Sequence, residues 1–255
     1  MGSECKRTNC YNEIKDAFNR IIASEENLQK MQRNLSSEEK QHFFSFNETE
    51  VEVFNKQLDE WEKNKTNPLK LITVGSIPPV MKALDISDNQ IAMPQSVVAK
   101  ALGKNPEYPE DKQGHELTFD IIKKIPEFLA DPVMVFKLRT RSDSYVFFTE
   151  QKDSENRWIL IPVAVDKKYG RLVINEITSM YGKDNEVDFV RNNIKHNNLV
   201  YIDKKRSLDW ERECQVQFLA QVLPEQGSFK ILTKERLVNL LSSSSEYDNY
   251  LFQKM

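Results

Sequence analysis

The sequence predicts an α+β fold in which helices flank an antiparallel sheet of about four to six strands, behind an α-helical N-terminal module. Four short apolar segments rich in β-branched and aromatic residues follow one another between residues 132 and 177. Their tight polar connections are typical of an antiparallel meander. Before residue 69, by contrast, apolar residues recur every three or four positions between charged ones. That spacing is the period of a helix.

The length and charge of the chain limit the classes of protein to which it can belong. At 255 residues the chain can form one large domain or a domain with an added module. Charged residues make up 29% of the chain and the formal net charge is -3. This balance excludes a strongly basic protein that coats nucleic acid, although a local basic groove is still possible. No stretch approaches the roughly eighteen apolar residues of a membrane span, so we expect a cytoplasmic protein of the producing or the target cell with no membrane partner.

The cysteines and histidines do not predict a metal site. The chain has three cysteines, Cys5, Cys10 and Cys214, and three histidines far apart in the sequence. Neither a C-x-x-C nor a C-x-x-C-H motif occurs in the sequence. We therefore expect reduced thiols, no metal and no cofactor.

The N-terminal module is predicted to span residues 1–68. An apolar stripe of Val51, Phe54, Leu58 and Trp61 follows a possible helix cap at Asn47. Such stripes can face one another within the module, or they can cover the sheet of the following domain, and we expect partial docking. The main domain is predicted over residues 69–223, and a C-terminal helix and tail over 224–255.

Residues 70–130 are predicted to hold turns and short helices. Gly75 and the two prolines that follow Ile77 indicate a turn. Helices are expected at residues 81–84, 93–102 and 118–129, the second stopped by Gly103 and the third broken near Pro126. Residues 104–114 contain two prolines and are predicted to form a loop.

The meander comes next and ends in a polar cluster. Its four strands are predicted at residues 132–138, 144–150, 157–165 and 171–177. Directly after the fourth strand come Thr178, Ser179, Met180 and Tyr181. Side chains for chemistry are often displayed where a strand ends. A helix is then predicted from Glu186, and Tyr201 is expected in the core.

The order of these segments resembles the phage MuF C-terminal domain family. The resemblance covers roughly residues 72–210, and the segments that carry it are 74–84 (VGSIPPVMKAL), 96–104 (SVVAKALGK) with His115 after it, 125–136 (IPEFLADPVMVF), 148–150 (FTE), 175–184 (NEITSMYGKD) and 198–205 (NLVYIDKK). The family occurs in phage head-morphogenesis proteins and in large polyvalent proteins of mobile elements. Its organisation is similar to that of the phage barnase–EndoU–colicin–RelE-like (BECR) ribonucleases.

The resemblance implies two alternative functions. The first is a metal-independent ribonuclease, used as a toxin or effector by a phage or mobile element, with RNA as substrate and an immunity or carrier protein as a possible partner. The second is a catalytically inactive head-morphogenesis or adaptor domain that keeps the fold for binding.

A metal-independent ribonuclease needs a base for the 2′-hydroxyl, an acid for the leaving oxygen and donors for the charge on phosphorus. His115 titrates in the useful range, and the resemblance favours a catalytic role over that of a loop histidine that caps the next helix. Glu150 ends a strand with aromatic neighbours, so it is a candidate base. It could equally be a solvated strand-end residue.

The hydroxyl groups after the fourth strand are the remaining candidates. Ser179 and Tyr181 are predicted to be catalytic donors, and Thr178 to bind substrate; alternatively the three form a polar strand end. Lys100 and Lys104 are candidates for gripping phosphate, although a surface lysine is the ordinary interpretation of each.

Overall fold

A computed structural model describes residues 44, 46–64, 70–103, 117–138, 144–219 and 231–242. Within these ranges the chain forms eight helices and nine strands, and the predicted α+β class is confirmed. The helices are α1 Glu48–Asn64, α2 Pro79–Ala83, α3 Gln95–Ala101, α4 Phe119–Lys123, α5 Ile125–Ala130, α6 Glu186–Lys195, α7 Lys204–Glu213 and α8 Lys234–Ser242. The strands are β1 Leu71–Gly75, β2 Ile91–Pro94, β3 Met134–Lys137, β4 Ser144–Lys152, β5 Trp158–Tyr169, β6 Leu172–Ile177, β7 Tyr181–Gly182, β8 Leu199–Ile202 and β9 Leu232–Thr233.

All nine strands lie in one mixed sheet. Its order is β1-β2-β6-β5-β4-β3-β8-β9, and β7 pairs with β5. The predicted meander is confirmed, because β3, β4, β5 and β6 pair in succession and antiparallel. The prediction of a purely antiparallel sheet with four to six strands is wrong. Two pairs, β2 with β6 and β8 with β9, are parallel.

The additional strands β1, β2, β7, β8 and β9 are short. All four residues of β2 are buried, so its sequence lacks the alternation that marks a half-exposed strand. Met93 and Pro94, predicted to open a helix, belong to β2, and α3 begins only at Gln95. Parallel neighbours also require long crossover connections, so the partner of such a strand is remote in the chain.

One face of the sheet packs against α6 and α7. Phe136, Phe148 and Leu160 of β3, β4 and β5 form a cluster with Val190 of α6 and Trp210 of α7. The ring of Phe148 lies 5.7 Å from that of Trp210 and 5.8 Å from that of Trp158. Burial of each such side chain stabilises the fold by roughly 1.5–3 kcal/mol. This cluster holds β3 and β4 in place, and the ends of these two strands belong to the site described below.

Helix α1 packs against the outer strand β1. Its stripe of Phe54, Leu58 and Trp61 is buried, and Asn47 caps its first turn by accepting a hydrogen bond from the Thr49 amide. The Gln57 side-chain amide pairs with the backbone of Thr73: its oxygen accepts from the Thr73 N–H at 3.1 Å and its nitrogen donates to the Thr73 carbonyl at 3.3 Å.

Helix α1 and the sheet belong to one compact unit, which spans residues 43–237. The proposed boundary at residue 68 stays a prediction. None of the described helices has both the length and the apolar composition that a membrane span requires.

Candidate functional site

Four neighbouring strands bring charged side chains to one end of the sheet. β3 begins at this end, while β4 and β8 run antiparallel to it and finish there. β9 is parallel to β8 and finishes there too. The five side chains delivered by these strands are termed the charged end: Asp131 ahead of β3, Glu150 near the end of β4, Asp203 and Arg206 after β8, and Lys234 after β9.

Arg206 lies at the centre of the charged end. Its Nε donates to Asp203 Oδ2 at 2.8 Å, and its Nη2 donates to Asp131 Oδ1 at 2.7 Å and to the Pro132 carbonyl at 3.0 Å. Its Nη1 donates to the Asp131 carbonyl at 3.1 Å and to Glu150 Oε2 at 3.3 Å. A guanidinium has about five N–H donors. The hydrogen bonds above therefore give every N–H donor of Arg206 an acceptor.

Local structure explains why the two aspartates and the two cations meet. Asp203 caps α7 by accepting from the Arg206 amide at 3.1 Å, and its own amide donates to the Val133 carbonyl at 2.8 Å. Lys234 Nζ lies 2.8 Å from Asp131 Oδ1 and 3.2 Å from Asp203 Oδ2. It also lies 4.4 Å from the centre of the Phe44 ring.

Burial and charge act in opposite directions on these groups. Burial favours the neutral form of Asp203, but the charge and hydrogen bonds of Arg206, together with the charge of Lys234, outweigh it and lower the pKa of Asp203. Burial likewise opposes the charge of Arg206, yet Asp131 and Asp203 hold its pKa above the ordinary value. Burial, and then the charges of Asp131 and Asp203, raise the pKa of Tyr201, so its phenol stays neutral. The prediction that Tyr201 is a core residue is confirmed.

Glu150 differs from the other two carboxylates in its exposure. Its side chain is 64% exposed, against 31% for Asp131 and 7% for Asp203. Its contact with Arg206 is the longest of the five that the guanidinium makes. The charged end therefore presents to solvent a carboxylate beside a guanidinium that four other bonds hold in place.

The predicted hydroxyl cluster, Thr178, Ser179 and Tyr181, bridges two strands on the same edge of β5. β6 pairs with the later part of β5 and β7 with its earlier part. The Thr178 amide donates to the Pro162 carbonyl at 3.0 Å, and its side chain is exposed. Ser179 is half-buried. Tyr181 packs against the core cluster, and burial raises its pKa.

Gly182, which ends β7, allows a close approach of the turn between β4 and β5. A Cβ atom at this position would collide with the carboxylate of Asp153. That carboxylate is itself fixed, because it accepts from the amide of Arg157 at 2.9 Å and from Arg157 Nε at 2.7 Å. Gly182 thus has a structural role.

Glu150 and the hydroxyl cluster lie on opposite sides of β5. Leu160 pairs with Phe148 of β4 on one side and with Tyr181 on the other, so two strand spacings, about 10 Å, separate these rows. The charged partner of Glu150 is Arg206. Lys100 is half-buried in the last turn of α3. His115 and Lys104 lie outside the described residues, and their predicted roles stay predictions.

Four residues of the charged end were missed in the sequence: Asp131, Asp203, Arg206 and Lys234. One available signal was the spacing of Asp203 and Arg206, because an aspartate after an apolar strand is a typical helix cap. A second was Asp131 directly ahead of Pro132 and a buried strand. Within the described ranges, no group of three or more histidine, cysteine or acidic side chains is placed to hold a metal ion.

Comparison with known proteins gives one family. Residues 108–209 match the family described as the phage MuF C-terminal domain. No significant match was found among curated proteins or among solved structures. The matched region contains Asp131, Glu150, Asp203 and Arg206 but excludes α1, β1, β2 and α3. Over that region the chain is similar to the C-terminal domain of phage MuF proteins, which indicates a phage-related protein.

Proposed function

We propose that this phage-related chain is a metal-independent endoribonuclease in which Glu150 is the general base. The observation that carries the proposal is the exposed carboxylate of Glu150 beside the guanidinium of Arg206, 3.3 Å away. A carboxylate in this position can take the proton of a ribose 2′-hydroxyl. The fixed guanidinium can hold the phosphate that the hydroxyl attacks.

The chemistry balances without a metal. The 2′-oxygen loses its proton to Glu150 and forms a bond to the adjacent phosphorus, while the bond from phosphorus to the 5′-oxygen breaks. An acid returns a proton to that 5′-oxygen, which leaves a 2′,3′-cyclic phosphate on one fragment and a free 5′-hydroxyl on the other. His115 is the proposed acid, because imidazole exchanges protons near neutral pH.

Arg206 suits this sequence of events because its contacts differ in strength. Four of its hydrogen bonds go to Asp131, Pro132 and Asp203, at 2.7–3.1 Å. When Glu150 takes a proton it loses its charge, so its bond to Nη1 weakens and a phosphate oxygen can replace it. The four remaining bonds keep the guanidinium in position during this exchange.

The other predicted residues complete the proposal. Because β5 lies between the hydroxyl cluster and Glu150, the hydroxyls of Ser179 and Tyr181 are proposed donors to a neighbouring phosphate of the bound RNA, and Thr178, Lys100 and Lys104 are proposed substrate contacts. The proposed use is as a toxin or effector acting on cytoplasmic RNA, restrained in the producing cell by an immunity or carrier protein.

The test is cleavage of total RNA by the purified protein in excess EDTA. Glu150→Gln should lower the rate by about two to four orders of magnitude, the usual effect of a positioned base. Glu127→Gln, at an exposed position of α5, is the matched control and should cleave like the wild type. Wild-type fragments should end in a 2′,3′-cyclic phosphate. Intact RNA, or undiminished cleavage by Glu150→Gln, would refute the proposal.

A second candidate is a catalytically inactive head-morphogenesis or adaptor domain. It is favoured by the saturation of all the Arg206 donors and by the packing of Tyr181 against the core, which are features of a structural network. Wild-type protein that is folded but leaves RNA intact, both in EDTA and in magnesium, would support this candidate over the first.

A further inference from the structure

The hairpin of β5 and β6 ends in an exposed tip. Its last cross-strand pairs are Lys167 with Ile174, Lys168 with Val173 and Tyr169 with Leu172, and Gly170 turns the chain with a φ of +62°. Tyr169 is 38% exposed and Leu172 49% exposed. These two side chains pair directly, so they form a small apolar platform. The ribbon tip is defined as Lys167, Lys168, Tyr169, Arg171 and Leu172.

The ribbon tip is positively charged in a chain whose formal net charge is -3. Lys167, Lys168 and Arg171 are all exposed. Among the ion pairs of the described residues, none involves these three cations.

Two carboxylates lie close to the tip. Asp166 accepts hydrogen bonds from Ser87 Oγ at 2.9 Å and from Asn89 Nδ2 at 2.7 Å, which hold it at the base of the ribbon. Glu176 lies beside the phenol of Tyr169; burial and then this carboxylate raise the pKa of Tyr169. The phenol is therefore neutral and near Glu176, while Tyr169 as a whole is 38% exposed.

We propose that the ribbon tip binds a single strand of RNA. Lys167, Lys168 and Arg171 contact phosphates, and the ring of Tyr169 stacks on a base. Cations beside an exposed aromatic ring are the combination that binds single strands without a fixed sequence. The choice of RNA over DNA rests on the proposed function.

The position of the tip sets a condition on the length of the strand. β5 has 12 residues and runs from Trp158, beside the end of β4, to Tyr169 in the tip. The two ends of β5 are therefore roughly 35 Å apart. An RNA strand must be several nucleotides long to contact both the tip and the charged end.

The test measures binding without cleavage. The probe is a fluorescein-labelled 2′-O-methyl oligonucleotide of about 20 nucleotides, which lacks the free 2′-hydroxyl, and the readout is fluorescence anisotropy in EDTA over a range of salt. The variant carries Lys167→Ala, Lys168→Ala and Arg171→Ala. Its control carries Lys56→Ala, Lys63→Ala and Lys195→Ala, three exposed lysines elsewhere. Tyr169→Ala and Tyr169→Phe test stacking.

We expect the ribbon variant to bind at least tenfold more weakly, and the slope of log Kd against log salt to fall by about 2, since each phosphate contact contributes about 0.7. Tyr169→Ala should weaken binding about 5- to 150-fold, the usual range for the loss of one stacked base. The control variant and Tyr169→Phe should bind like the wild type.

Three results would overturn the inference: wild type without saturable binding at low salt, a ribbon variant that binds like the wild type, or competition by polyglutamate as strong as by unlabelled oligonucleotide. The last would indicate an acidic protein partner. Ribbon-dependent binding by a protein that leaves natural RNA intact would refute the ribonuclease and keep the ribbon site. RNA cleavage without ribbon-dependent binding would keep the ribonuclease and refute the ribbon site.

Discussion

The charged end and the ribbon tip lie near opposite ends of β5 and use similar side chains differently. At the charged end Arg206 and Lys234 are held by buried or half-buried carboxylates. At the ribbon tip Lys167, Lys168 and Arg171 are exposed. A paired, desolvated cation contributes to structure and resists displacement, whereas an exposed one costs little to transfer to a ligand. Glu150 is exposed like the cations of the ribbon tip but is paired like those of the charged end, so it is intermediate between the two.

The largest expected effect tests whether the acid proposed to act with Glu150 of the charged end is His115. His115→Ala should lower RNA cleavage by about two to four orders of magnitude, because the leaving oxygen loses its acid. The melting temperature should be nearly unchanged, since His115 lies outside the apolar segments that the sequence predicts for the core. His196→Ala is the control: His196 is exposed, and its ring Nδ1 lies 2.6 Å from the Asn192 carbonyl at the end of α6. Equal losses from both variants, or no loss from His115→Ala, would contradict the assignment.

The next largest effect compares how much the charged end and the ribbon tip contribute to the free energy of unfolding. Arg206→Ala leaves the carboxylates of Asp131 and Asp203 without their main partner, and we expect a loss of about 3–5 kcal/mol in the free energy of unfolding, measured with urea. Arg212→Ala removes an ion pair whose arginine is 75% exposed, and it should cost less than about 1 kcal/mol. The ribbon variant should also lie within about 1 kcal/mol of wild type. A large loss in the ribbon variant would remove the contrast between the two ends.

The smallest expected effect is on how the free energy of unfolding declines at acidic pH. The pKa of Asp203 is lowered in the folded protein, so its contribution to stability is complete above the ordinary carboxyl pKa of about 3.9 and disappears as the pH falls through the folded value. Asp203→Asn should cost roughly 1–3 kcal/mol at pH 7 and should flatten the decline below about pH 4. Asp188→Asn, at a 65% exposed position, is the control. A variant that declines as steeply as wild type would show that Asp203 is not the titrating group.

The meander could be predicted from the sequence because each of its strands carries its own pattern. Val146 and Phe148 of β4, for example, alternate with residues on the other face and sit in a long β-branched and aromatic run. β2 could not be predicted: its four buried residues show no alternation, and its neighbour β6 lies some 80 positions further along the chain. Pairing of that kind depends on the assembled core, not on local preference.

The candidate site was predictable only in part for the same reason. Glu150 is recognisable as a carboxylate near the end of a strand. Its partner Arg206 lies in α7, 56 positions later, and it reaches Glu150 only because four strand ends meet there. Tyr181 was interpreted from its hydroxyl group, whereas its ring packs on the core. A sequence pattern shows the chemical groups that a residue carries, but it does not show which remote residues will pack against it in the folded protein.

The pairing of Gln57 with Thr73 has a consequence for aggregation. An outer strand offers unpaired backbone groups to which a strand of another copy can add. Here the side chain of one glutamine in α1 occupies the N–H and C=O of the middle residue of β1. Until α1 docks, that edge is open, so a chain that has formed its sheet but not this helix contact is the species most exposed to self-association.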